Sequence, residues 1–174
     1  MIKKSEQLQT QRLVLRTFEE SDKPQMIDIL LDANNKKTYM LPDFENAKQA
    51  ESLFEKMMRL SRSEHRFVYG ISYQSKLIGF LNDVEIHDST IEIGYVIATE
   101  HQRKGFATEA VGCCIDELFR MGFMQVTAGF FKGNIASRRV MEKCGMQKLD
   151  FEEDIEYKGA LQHCIYYGIE NKNA

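Results

Sequence analysis

The sequence predicts an α/β domain of the α+β kind, a mixed and mostly antiparallel sheet of about seven strands flanked by about four helices. Three observations carry that expectation. First, β-rich runs at 66–73, 77–86 and 91–97 are separated by short polar breaks, too short for a parallel crossover, so these strands are antiparallel neighbours. Second, the apolar period then changes to that of a helix, with Ala107, Ala110, Val111, Cys114, Ile115, Leu118 and Phe119 recurring every three or four residues. Third, a chain of 174 residues that is 43% hydrophobic can bury one continuous core, and no linker interrupts it, so residues 1–174 are read as a single domain.

The elements follow in order. Residues 12–18 read as a strand, with Leu13 and Leu15 on one face and Arg12 and Arg16 on the other. Ser21 offers an N-cap to a helix whose first turn tolerates Pro24 and whose apolar residues are Met26, Ile27, Leu30 and Leu31. Asn46 caps a second helix with an apolar stripe of Ala50, Leu53, Phe54 and Met57. After the meander and the long helix, which ends at Gly122, residues 125–131 are β-like. Asn134 caps a short helix stopped by Gly145, and closing strands near 146–151 and 162–169 complete the domain.

Bulk properties narrow the function. A net charge of −3 with dispersed basic residues lacks the electrostatic footprint of direct nucleic-acid binding. No apolar run approaches the ~20 residues of a membrane span, and Lys3, Lys4 and Glu6 are followed by no secretory core, so a cytoplasmic protein without membrane attachment is expected. Cys113, Cys114, Cys144 and Cys164 lack ligand-pair spacing and read as reduced core residues. His65, His87, His101 and His163 stand far apart, and no metal site is expected.

The segment Gln102-Arg103-Lys104-Gly105-Phe106-Ala107 lies between a strand and the start of the long helix. Unpaired N–H groups and the positive end of the helix dipole make such a loop a ready anion site. Small residues at Gly105 and Ala107 let phosphate oxygens approach the backbone, and Arg103 and Lys104 add positive charge at the rim. The pattern alone fits an ordinary strand-to-helix turn equally well, and it matches neither a Walker loop nor the dinucleotide fingerprint.

Three segments, Ile91 through Ile97, Gln102 through Ala110, and Asn134 through Met146, together resemble the GNAT acetyltransferase superfamily, most closely its RimJ/RimL-type branch. The resemblance spans nearly the whole chain. It implies an N-acetyltransferase that uses acetyl-CoA as co-substrate and takes an amine acceptor, a protein N-terminus or a small molecule; a homodimer stays open. Tyr95, Val96 and Ile97 match positions where the central strand bulges and splays to pair with the pantetheine arm. Gln102, Arg103, Lys104, Gly105, Phe106, Ala107 and Thr108 match the pyrophosphate loop. Asn134 matches a residue that reaches the pantetheine, and Ser137 a hydroxyl near the thiol; helix capping is the alternative reading of both.

The same resemblance exposes a gap. In the Rim-type enzyme that modifies a ribosomal N-terminus, a glutamate on the strand before the Asn motif serves as base and a tyrosine in the following helix as acid. The matching positions here are Gly129 and Met141, which can do neither. Glu92 on the central strand is the nearest acidic candidate for the base, or for holding a water that acts as one, and Ser137 is a candidate to pass a proton to the thiolate. An acidic run, Glu152, Glu153, Asp154 and Glu156, is read as a loop between the last two strands that either attracts a polycationic acceptor, such as a polyamine or aminoglycoside, or is simply solvated. A non-catalytic acyl-CoA-binding module and a CoA-independent interaction domain are the competing functions. The segments near 20–45 and 150–163, which would shape an acceptor pocket, carry no interpretable pattern.

Overall fold

Strands β1 (Gln7–Gln9), β2 (Leu13–Arg16), β3 (Val68–Tyr73), β4 (Lys76–His87), β5 (Thr90–Ile97), β6 (Gln125–Phe131), β7 (Gln147–Tyr157) and β8 (Ala160–Glu170) pair in one sheet of order β1-β2-β3-β4-β5-β6-β8-β7. The computed structural model describes residues 3–39, 44 and 46–172; residues 40–43 and 45, within a stretch expected to border an acceptor, lie outside the described residues. Every neighbouring pair is antiparallel except β5 with β6. The helices are α1 (Lys23–Leu31), α2 (Asn35–Thr38), α3 (Ala47–Ser61), α4 (Phe106–Arg120) and α5 (Ile135–Lys143). Among the described residues no helix is long and apolar enough to cross a membrane.

Strand alternation and helix period place the core as the sequence pattern requires. Leu13 and Leu15 of β2 are buried together with Ile91 and Ile93 of β5, Val126 and Ala128 of β6, and the stripe Ala110, Val111, Cys114, Ile115 and Leu118 of α4. On the opposite face α1 and α3 cover β3 and β4, with Phe18 and Phe54 fully buried and meeting edge-on at 6.1 Å. Burying one such ring contributes roughly 1.5–3 kcal/mol. Among the described residues β6, β7 and β8 add nothing to this second cluster, so α1 and α3 leave their half of that face open, although Cys164 and Tyr166 there are buried by neighbouring side chains.

The turns explain the hairpins. Gln74 and Ser75 take φ of 49° and 64°, and Lys158 and Gly159 take 52° and 73°, the left-handed geometry that joins two strands in two residues. Asn46 caps α3 by accepting the N–H of Gln49 at 3.1 Å. Pro24 sits in the first turn of α1.

Several expectations need correction. Ser21 does not cap α1; it lies in a 3-10 turn, and Asp22 takes the capping position. The Asp22 carboxylate is held by Arg16 at 2.8 and 2.9 Å instead of by the helix N–H groups. The described residues form eight strands and five α-helices, in line with the expected count of about seven and about four; the additional β1 and α2, three and four residues long, are too short to leave a periodic signal. The acidic run is no loop: Glu152, Glu153, Asp154 and Glu156 belong to β7, because the hairpin turn comes later, at Lys158 and Gly159. Charges suit that strand, since β7 is an edge of the sheet.

Candidate active site

The site begins where two parallel strands part. β5 and β6 pair only through Thr90–Gln125, Ile91–Val126 and Glu92–Thr127. Beyond Glu92, β5 keeps its pairing with β4 up to Ile97, while β6 keeps its pairing with β8 up to Phe131. Along Gly94 to Ile97, alternate backbone groups on the β6 side therefore lack a strand partner. The bulge expected in the central strand lies instead in β4, where Val84 is the extra residue between Asp83, opposite Ile93, and Glu85, opposite Glu92. A bulge increases local twist, and this one acts at the last register before the strands diverge. Val96 and Ile97 are buried, and the β4 strand runs so close to them that a Cβ at Gly79 would stand 2.2 Å from the Val96 carbonyl oxygen.

β5 leads through a 3-10 turn, Thr99–His101, into the loop that opens α4. Arg103 and Gly105 take φ of 61° and 82°, and the chain from Gln102 to Gly105 is exposed. Among the described residues the N–H groups of 103–108 donate to no carbonyl or side chain, whereas the next one, Glu109, donates to Gly105 O at 3.1 Å. Six orphan donors thus sit at the positive end of a fifteen-residue helix. Around Gly105 only an Arg12 nitrogen, at 3.3 Å, comes within 4 Å of an added Cβ. Such a cradle of free donors can receive a phosphate group, and the residues present fit a CoA pyrophosphate. Phe106 gives its backbone to the cradle while its ring is buried against Tyr73 at 4.7 Å. Gln102 has a different part: its amide donates to the Ile97 carbonyl at 2.9 Å and to Asn35 at 3.1 Å, tying the loop to β5 and α2.

Arg12 and Glu109 hold the cradle from behind. The Arg12 guanidinium lies over the Phe106 ring, 4.6 Å from its centroid, and donates to Glu109 and to the Lys104 carbonyl. Glu109 also accepts Thr10 Oγ1 at 2.5 Å and the Arg12 N–H at 2.8 Å. Burial works against its charge, but the hydrogen bonds from Thr10 and Arg12 win and hold the carboxyl below its usual range.

α5 flanks the other side of the splay. Asn134 accepts the Ser137 N–H at 3.1 Å and so caps α5, while its amide nitrogen donates to Ser137 Oγ and to the Thr38 carbonyl, each at 3.1 Å. Ser137 Oγ accepts that bond and keeps its own proton to give. The Tyr95 hydroxyl donates to the Ser137 carbonyl at 3.2 Å, linking β5 to α5, and burial pushes the phenol above its ordinary pKa, so it stays neutral. Met141, one turn on, is buried in the core.

Glu92 points to the opposite, open face, because Ile91 and Ile93 on either side of it are in the core. It is half-buried, and desolvation first, then the Glu85 and Glu153 carboxylates, push its pKa up to about 7. Glu92 and Ser137 therefore approach the splay from its two sides. The α2 segment reaches across this region: Tyr39 donates to Asn82 of β4 at 2.6 Å, and Tyr157 of β7 donates to the Lys36 and Tyr39 carbonyls at 3.1 Å.

Sequence reasoning missed Arg12, Glu109, Tyr39, Tyr157 and Tyr166 as members of this neighbourhood. Their partners are remote in the chain, so no local spacing marks them. Arg12 and Arg16 did carry a signal, two cations on one strand face, but their acidic partners come from other elements, Glu109 of α4 and Asp22 at the start of α1.

Comparison with known proteins follows the same outline. The acetyltransferase (GNAT) domain model matches residues 12–147. The uncharacterised N-acetyltransferase YoaA of Bacillus subtilis (strain 168) is 30% identical over 147 residues, covering 81% of this chain and 82% of the relative. Among solved structures, the microcin self-immunity acetyltransferase MccE in complex with acetyl-CoA and AMP superposes with a TM-score of 0.80 at 20% identity, over 93% of this chain and 94% of that one. The ribosomal-protein α-N-acetyltransferase RimL in complex with coenzyme A superposes with a TM-score of 0.80 at 18% identity, over 92% and 95% of the two chains. The two structures share the fold of this chain.

Proposed function

This chain belongs to the GNAT acetyltransferase family and is an acyltransferase, and we propose that it transfers the acetyl group of acetyl-CoA to a primary amine, by direct attack of the neutral amine on the thioester. The observation that carries this reading is the alignment of six orphan N–H groups at 103–108 with the unpaired edge of β5 beyond Glu92. The first binds pyrophosphate; the second offers backbone partners to the pantetheine arm at Tyr95, Val96 and Ile97, and an N–H for negative charge developing on the carbonyl oxygen. Holding both reactants in the splay supplies the proximity on which such a transfer depends.

Glu92 takes the amine proton in this scheme, and Ser137 Oγ, with its proton unused among the described residues, relays one to the thiolate, taking a proton from solvent water as it gives up its own. A carboxylate with a pKa of about 7 is a far better base at neutral pH than an ordinary glutamate. It suits an α-amine, which near pKa ~7.8 is on the order of a tenth neutral at pH 7; a lysine-type amine near ~10.4 is neutral only about four times in ten thousand. We therefore favour the α-amine of a protein N-terminus or a small amine, in keeping with the acceptor named for RimL.

Thiol release from acetyl-CoA in the presence of α-amino peptides, polyamines and aminoglycosides tests the proposal. Turnover on a peptide α-amine is expected to exceed hydrolysis. CoA binding without transfer to any of these amines would mean a binding module instead of an enzyme, and no binding at all would sink the reading of the loop.

A further inference from the structure

The absence of a side chain at position 129 has a built counterpart. Gly129 of β6 pairs with Tyr166 of β8, and a Cβ at Gly129 would meet the Tyr166 ring at 2.7 Å. Glycine is what lets the ring lie against the strand. Phe151 closes on that ring from β7, with centroids 5.0 Å apart, and Tyr166 is only 8% exposed. Its hydroxyl donates to Glu153 Oε1 at 2.5 Å.

Glu153 differs from its neighbours in the acidic run. Glu152 and Asp154 both bind His163, at 2.8 Å each, and strand alternation turns Glu153 to the other face, the one that carries Phe151 and Tyr166. That is also the face to which Glu92 points. The groups that act on Glu92 there are Glu85 from β4 and Glu153 from β7, and Glu92 in turn acts on Cys164 and Tyr166 of β8; β6 presents Thr127 beside it, which does not titrate.

We propose that Tyr166 and Glu153 are a positioning pair for Glu92: the phenol fixes the Glu153 carboxylate on the open face, and that fixed negative charge strengthens Glu92 as the proton acceptor. The proposal rests on the reading of Glu92 as the base. Burial, and next the Glu153 carboxylate, hold the Tyr166 phenol above its ordinary pKa, so it remains the donor in its bond to Glu153. A nearby carboxylate makes Glu92 harder to ionise and hence more basic. A side chain at 129 is thereby replaced by two residues from the neighbouring strands.

The test is a carbon-13 NMR titration of the glutamate carboxyls in the full chain, with the Glu92 signal assigned by its loss in Glu92→Gln. In the native protein it should titrate at about 7. Glu153→Gln should lower that midpoint by about half a unit, and Tyr166→Phe, which keeps the ring, should lower it by less. A midpoint unmoved in both variants overturns the proposal, and movement in Glu153→Gln alone removes Tyr166 from it. Acetyl transfer to an α-amino peptide separates this failure from that of its premise. Slow turnover of Glu92→Gln with an unmoved midpoint sinks the pair alone, whereas undiminished turnover of Glu92→Gln sinks the base assignment beneath it.

Discussion

The Arg12 guanidinium meets the Glu109 carboxylate at 2.7 Å across 97 positions of sequence, joining the start of β2 to the first turn of α4. Because Arg12 also donates to the Lys104 carbonyl, the pair fixes the loop that opens α4, the proposed phosphate site, without using any of its N–H groups. Arg12→Ala should therefore leave the fold intact and weaken CoA binding, by roughly 1–2 kcal/mol or about five- to thirty-fold in Kd. Calorimetric titration with CoA measures this directly. Native affinity in Arg12→Ala would show that the loop holds its shape alone.

Gly105 tests the loop itself. Its φ of 82° disfavours any side chain, and a carboxylate there would face the bound phosphates. Gly105→Glu should abolish the rise in thermal midpoint that CoA produces in the native protein. A retained rise would place the phosphates elsewhere.

Glu92 makes both a rate and a stability prediction. As the base it must be ionised, so the rate on a given peptide should fall as pH drops through about 7, and Glu92→Gln should be slow throughout and lack that limb. For stability the sign follows from a folded pKa raised above the unfolded value. The folded state binds the proton more tightly, so the contribution of Glu92 is complete below its unfolded pKa and is lost as pH rises through about 7. Glu92→Gln should accordingly gain stability relative to the native chain between pH 4 and pH 8, measured by urea denaturation. An equal difference at the two ends would contradict the raised pKa.

His163 runs parallel for another reason. Asp154 first, and then Glu152, raise its pKa by accepting from its two ring nitrogens. Its stabilisation of the β7–β8 hairpin is present below the unfolded histidine pKa and fades as pH climbs through the raised one. The imidazole proton resonances should titrate above 6.5, and replacing Asp154 with Asn should bring the midpoint down. A midpoint at or below the ordinary value would show the triad to be open in solution.

Gly79 probes how tightly β4 approaches the cofactor strand. A Cβ there would stand 2.2 Å from Val96 O, a backbone atom that cannot rotate away. Gly79→Ala should cost about 1–3 kcal/mol or more and displace Val96, weakening CoA binding at the same time. Denaturant unfolding alongside CoA titration reads both, and a variant as stable as the native chain would mean that β4 yields easily.

Much of the fold was legible because its signals are local. The helix stripe of α4, the caps at Asn46 and Asn134, and the short breaks of the meander each depend on neighbours within a few positions. The elements that escaped, β1 and α2, are held by contacts instead of pattern: β1 by pairing with β2, α2 by Tyr157 and Asn134. The end of β7 escaped because an edge strand tolerates a run of charges that reads as a loop. Of the candidate site, the turn with free N–H groups at 103–108 could be read from a glycine before a helical stripe; that Gln102 ties this loop to β5 while Asn134 caps α5 adds to what was read of them.

By itself the sequence determined the order of the longer elements, the face each one buries and the glycine turn that opens α4, since periodicity, capping and turn chemistry act over a few residues. Only the tertiary structure decided where β5 and β6 part, that Arg12 and Glu109 close behind the loop, and that Glu92 shares an open face with Glu153 and Tyr166. Those relationships join strands and helices far apart in the chain, and the desolvation and neighbouring carboxylates that raise the Glu92 pKa exist only once the sheet has brought them together.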